Sequence, residues 1–313
     1  MPDPLVLLGI GFFGVPCVAG MPGPGPIWAV IRAMQSGART EDGGSVRLYS
    51  VRLYWELARC GFRRTAIYRS AALSGAITNT FFGFLRAYMF IALYESRGEV
   101  NGYTLADALA FTFITQGIAA LMALWGPWPI AETVQSGEVA TDLSRPYDYQ
   151  LAWLAQDYGR AVFQLLARST PPFVVGMIAF GVTLPTDPLI WLAVVPSVIL
   201  GIAVSFGCRF CLNLTTFWIV DHRGIAGIAM LMTTFLSGFL VPLAMWPDGV
   251  REVVWLLPFA SMVAIPIDVF LGKLRGVDLL AALTLQVFWA VAMLMLGRAI
   301  LAAALRKLVV QGG

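Results

Sequence analysis

Between Ser70 and Leu301 the chain runs again and again for close to 20 residues with hardly a charge, and nothing else in it limits the possible folds so strongly. The hydrocarbon core of a bilayer is about 30 Å thick, and an α-helix needs ~20 apolar residues to cross it. Six stretches reach or approach that length: Ser70–Tyr94, Leu105–Ile130, Ser169–Leu184, Leu189–Gly207, Gly224–Met245 and Leu280–Leu301. The third has a short apolar core. It is expected to begin nearer Gly159, with Arg160 and Arg168 at the interface and a kink at Pro171-Pro172. The fourth stays hydrophobic past Arg209 to Val220 and is expected to protrude or tilt. Only 12% of the residues are charged, half the share of about 25% in soluble domains. Ten Trp and nine Tyr suit two interfacial belts. The expected fold class is an all-α polytopic membrane protein of six transmembrane helices.

Outside the spans the chain divides clearly. Residues 1–40 contain the apolar run Leu5–Ala19, which lacks a positive leader and ends in MPGPGP, so they are expected to be an interfacial or disordered extension. Residues 45–69 alternate Arg with Leu, Tyr and Trp, as an amphipathic helix on an anionic membrane surface does. That helix runs straight into a span, which argues against nucleic acid as its partner. Arg86 interrupts the first span; it must either snorkel to the outer interface or face a cleft between subunits, where it would be a contact for an anionic substrate.

Two polar islands remain. Residues 131–159 are mixed in charge and are turned by Gly137 and by Arg145-Pro146. Residues 246–280 hold 15 apolar residues, Val253–Ile267, broken by Pro258 and Pro266. That stretch is too short and too broken for a seventh span, so short re-entrant outer helices between spans five and six are expected. With the N-terminus inside, 16 of the 21 Lys and Arg lie on the inner side and four (Arg97, Arg251, Lys273, Arg275) on the outer. The positive-inside rule therefore places both termini and the 131–159 island in the cytoplasm.

The chain offers no catalytic constellation. It has no GxxxxGK[ST], HExxH or GxSxG, and its one histidine, His222, lies in a polar inner turn with Asp221 and Arg223. One loop histidine cannot make a metal site. The four cysteines are too few for a disulfide scaffold, and Cys208-x-x-Cys211 reads as small apolar residues of a helix. No enzyme activity, metal or cofactor is expected of this chain alone.

Three segments carry a resemblance: SGEVATDLSRPYDYQ at Ser136–Gln150, FWIVDHRG at Phe217–Gly224, and LSGFLVPLAMWPDGVREVVWLLPF at Leu236–Phe259. In these the chain resembles, from about Arg47 to Lys307, the permease subunits of bacterial type-2 ABC exporters, within the subgroup of uncharacterised ABC transport permeases. Ser136, Gly137, Glu138, Leu143, Arg145 and Pro146 match the first motif. Ser237-Gly238, Val241-Pro242, Trp246-Pro247 and Pro258-Phe259 match the third, with Pro266 further along the same outer segment.

The resemblance implies a multi-pass permease domain over 70–307 in the bacterial cytoplasmic membrane. It implies two permeases, identical or paralogous, above two ATPase subunits, with ATP and Mg bound by the ATPase. A lipid-like, antibiotic or peptide-like export substrate would suit the class. It further implies that 131–159 is the coupling loop, with Glu132, Gly137, Glu138, Asp142, Arg145 and Pro146 meeting the ATPase. Arg145 can hold an ATPase carboxylate, or pair with Asp142 or Asp148 within the loop. The alternatives are an ion-coupled secondary transporter and a non-transporting membrane scaffold or membrane enzyme.

Overall fold

The computed structural model describes residues 43–306 except 96–97, 146 and 220–222, so the expectations for residues 1–40, Pro146, Asp221 and His222 lie outside the described residues. Among the described residues the chain is helical throughout, without a named strand. Helix α1 spans Gly43–Ala66 and α2 Arg69–Glu95. The polar turn after α2 leads into α3, Leu105–Met122, which opens with a capping box between Thr104 and Asp107. Two short helices follow, α4 at Pro129–Ser136 and α5 at Val139–Leu143. Helix α6, Tyr149–Gln164, passes through a π-helical turn at Leu165–Ser169 into α7, Thr170–Phe180. Helix α8 covers Pro188–Leu214, α9 Arg223–Leu236 and α13 Gly276–Leu305. Between α9 and α13 lie α10 at Asp248–Trp255, α11 at Pro258–Met262 and α12 at Ala264–Phe270.

Five segments are long and apolar enough to cross a membrane: α2, α3, the continuous α6–α7 rod of 32 residues, α8 with its terminal turn, and α13. The fifth expected span, Gly224–Met245, is cut short. Its helix α9 has 14 residues, about 21 Å at 1.5 Å per residue. The stop is chemical: after Ser237, Gly238 takes a left-handed φ of 78°, which favours glycine.

The third span also departs from expectation, starting ten residues before Gly159. Asp148 caps α6, its carboxylate accepting from the Leu151 N–H at 2.8 Å. Pro171 and Pro172 do not break the rod. They lack two N–H donors, and the turn before them widens so that the Thr170 N–H bonds to Leu165 O. The second span ends at Met122 instead of Ile130, because Ala123 adopts φ 48° and turns its N–H back onto Ala119 and Ala120 carbonyls.

Small residues let the helices approach. At Gly117 an added Cβ would lie 2.9 Å from the Ser169 Cβ, and Ser169 Oγ donates to Gly117 O at 2.9 Å. Helix α3 is buried from Ala108 to Met122, and around α11 and α12 Val263, Ile265 and Ile267 are fully buried against α8 and its neighbours. Gln286 of α13 ties this corner together, donating to Ser197 O at 3.1 Å and Ser261 O at 2.8 Å. Pro247 and Pro258 stand at the starts of α10 and α11, where a missing N–H costs nothing, and Pro242 opens the short turn Leu243–Met245. Pro266 lies inside the first turn of α12.

Candidate functional site

The 131–159 island is not an irregular loop. Its apolar residues are too few for a span yet spaced to give α4 and α5 one buried side each. Pro129 starts α4, and Gly137, at φ 80°, ends it and reverses the chain. Ile130 and Val139 are buried with Tyr149, Phe206, Phe210 and Leu214, so the hairpin sits on the end of α8. Glu132, Gly137 and Glu138 are exposed, while Asp142 and Arg145 are half-buried. Arg145 takes the local role: its guanidinium lies 3.4 Å from the Asp142 carboxylate and donates to the Tyr147 hydroxyl at 3.2 Å. Burial pushes the Asp142 carboxyl above its ordinary value; Glu138 acts in the same sense, and Arg145 and Arg64 oppose it.

The roots of the hairpin are anchored to two long helices. The first N–H groups of a helix lack partners inside it; on α4, the Ala131 N–H is taken by Asn213 Oδ1 of α8 at 2.9 Å. On the far side, Asp148 pairs with Arg298 of α13 at 2.5 Å, and Gln150 Nε2 donates to Leu294 O at 2.9 Å. The hairpin is therefore joined to α8 and α13 through short polar links. Pro146 falls outside the described residues, as do Asp221 and His222; Arg223 is the first residue of α9.

Near these roots lies a charge cluster that the sequence did not reveal. Asp157 of α6 is buried, with Arg160 Nε at 2.7 Å and Arg209 of α8 at 2.6 Å from its two oxygens. Arg160 also donates to Ala120 O at 2.9 Å and Leu121 O at 2.6 Å, carbonyls of the last turn of α3. Arg160, expected at the interface, is thus an internal tie between α3 and α6. Cys208 and Cys211 are free, partly buried residues of α8, as the helical reading of CRFC requires.

Arg86 closes a third polar problem. Its guanidinium donates to the Phe239 and Leu240 carbonyls, just past the broken end of α9, and lies 5.1 Å from the Phe239 ring and 5.8 Å from that of Phe111. The charge thus ends among backbone acceptors that the chain break exposes.

A family model described as ABC-2 family transporter protein matches residues 80–312. The chain belongs to the ABC-2 transporter family. No curated protein and no solved structure matches it. As an ABC-2 family member it is a multi-pass membrane permease, the transport component of an ABC transporter and not itself catalytic, and its family implies an ATPase partner. The match spans the hairpin, the Asp157 cluster and the broken α9, so all three belong to the ABC-2 domain.

Proposed function

We propose that this permease works in an ATP-driven exporter, with the α4–α5 hairpin as the coupling element on a separate ATPase. One observation carries the reading: an exposed acidic turn, Glu132 to Glu138, stands on roots tied to α8 by Asn213 and to α13 by Arg298. Its carboxylates can set register against a basic groove. Arg145 keeps the hairpin in shape through Asp142 and Tyr147. ATP and Mg are bound by the partner, in two copies, and two permeases, identical or paralogous, enclose the path. Helix α9 suits that pairing, since none of its residues is buried within one chain and Ile228, Leu231 and Phe235 are all exposed.

The charge bias places the hairpin and both termini on the cytosolic side of a bacterial cytoplasmic membrane. Six crossings follow if α9 and the stretch to Met245 together make the fifth, with α10–α12 re-entrant on the outer side. Single cysteines at Asp248 and Gly276 are then expected to react with an impermeant thiol reagent from the same face; reaction from opposite faces contradicts this topology. An ion-coupled secondary transporter needs a carboxylate free to change partners. Asp157, held by two guanidinium groups, is not such a carboxylate.

The coupling role is tested on purified permease–ATPase complexes. Glu138→Lys is expected to weaken ATPase binding roughly tenfold, the scale of one reversed interfacial charge. Arg145→Ala is expected to leave binding near normal and lower the ATPase rate, because it loosens the hairpin. Unchanged binding and rate in both variants, at normal expression, would return the hairpin to the status of a linker.

A further inference from the structure

A cavity of about 520 Å³ opens between the C-terminal part of α1, the end of α3 with the segment Trp125–Pro129, and the facing sides of α6 and α8. Its volume is within the range of about 300–1,000 Å³ found for small-molecule sites. Four arginines line it, Arg64, Arg160, Arg168 and Arg209, against two carboxylates, Glu132 and Asp157. Asp157 is fully engaged by Arg160 and Arg209. Neither Arg64 nor Arg168 takes part in an ion pair among the described residues.

Two of the lining arginines are incompletely satisfied. Arg168 Nε and Arg209 Nε are buried with no acceptor. Such donors cost free energy unless something accepts from them, and more when they carry charge. The Arg168 side chain packs on Gly75 of α2, where an added Cβ would come within 2.6 Å of Nε. Two positioned guanidinium groups around an otherwise empty volume suit an oxyanion with several acceptor oxygens.

We propose that this cavity binds a phosphate-bearing anion. The source is either the headgroup of an anionic lipid, delivered along the membrane-surface helix α1, or a free phosphate compound. The site does not depend on ATP coupling, and its test needs no ATPase.

The full-length permease, purified in a neutral detergent, would be titrated with phosphatidylglycerol, phosphatidylcholine and inorganic phosphate, with binding read from the unfolding midpoint and from retained lipid by native mass spectrometry. Phosphatidylglycerol is expected to bind saturably and phosphatidylcholine more weakly. Arg168→Gln is expected to weaken phosphatidylglycerol at least about tenfold, with Arg168→Lys recovering part of the loss. Arg63→Gln, at an exposed arginine of α1 that does not line the cavity, should leave affinity unchanged. Competition by inorganic phosphate would assign a soluble phosphate; binding of the lipid without such competition would assign the headgroup. Should Arg168→Gln fail to fold, Arg64→Gln serves in its place. The proposal is overturned if neither ligand binds the wild type saturably, or if Arg63→Gln weakens binding as much as the cavity variants, which would mean surface charge alone.

Discussion

Asp157→Asn is expected to destabilise the bundle by about 3–5 kcal/mol, the cost of removing one partner from a buried ion pair. The carboxylate is 8% exposed and is the charge partner of both Arg160 and Arg209. Arg160 would keep the Ala120 and Leu121 carbonyls. Arg209 would not fare as well: its Nε already lacks an acceptor, and among the described residues its ion-pair partner is Asp157. The loss should therefore fall on the α6–α8 contact. Arg209→Met in the Asp157→Asn background removes the stranded charge and is expected to recover most of the stability, giving a large coupling term in a double-variant cycle. Unfolding in detergent measures all four proteins. Equal stability of wild type and Asp157→Asn would show that water reaches the cluster and that it holds nothing together.

Gly159→Ala is expected to unseat α1 from α6. A Cβ at Gly159 would fall 1.7 Å from Ala58 O and 2.9 Å from Phe62 N, and one at Gly61 would fall 2.0 Å from Gln156 O. Each obstacle is backbone, so no side chain can swing aside and the helices must separate. Overpacking of this kind costs about 3 kcal/mol or more, and separation also loses the Phe62–Phe163 ring contact at 5.5 Å. Protease sensitivity within α1, together with the unfolding midpoint, reads the effect. Gly227→Ala is the control. That helical glycine has nothing within 4 Å of an added Cβ, so the change should be neutral or stabilising by up to about 1 kcal/mol. Equal protection of α1 in both variants would contradict the close crossing.

The helices were legible where one rule governed them. Long apolar runs marked α2, the start of α8 and most of α13. Charge within one turn was legible too: Asp142 and Arg145, three residues apart, do pair. What the sequence hid was long-range. Arg209 and Asp157 are 52 residues apart, and taken singly one looked like the end of a span and the other like part of a polar island. The early start of α6 was masked because its amphipathic turns dilute the apolar signal that marks a span. Gly61 and Gly159 gave no sign of a crossing, since a helical glycine is informative only once its neighbour is known. The short α9 had a visible cue in Ser237-Gly238, which apolar continuity through Val241 outweighed. Arg86 was flagged as costly in lipid, but its solution, the freed carbonyls of Phe239 and Leu240, depends on a break 153 residues away.

The central claim is that the acidic hairpin is where this ABC-2 permease meets its ATPase. A photo-crosslinking residue placed at Glu138, with a second protein carrying it at Asp248, tests it most directly. Both positions are exposed, and Asp248 lies in the outer helix α10 of the proposed topology. In membranes containing the assembled transporter, irradiation is expected to give an adduct with the ATPase subunit from position 138 and none from position 248. An intact complex that yields no adduct at 138, or that yields one at 248, would contradict the account.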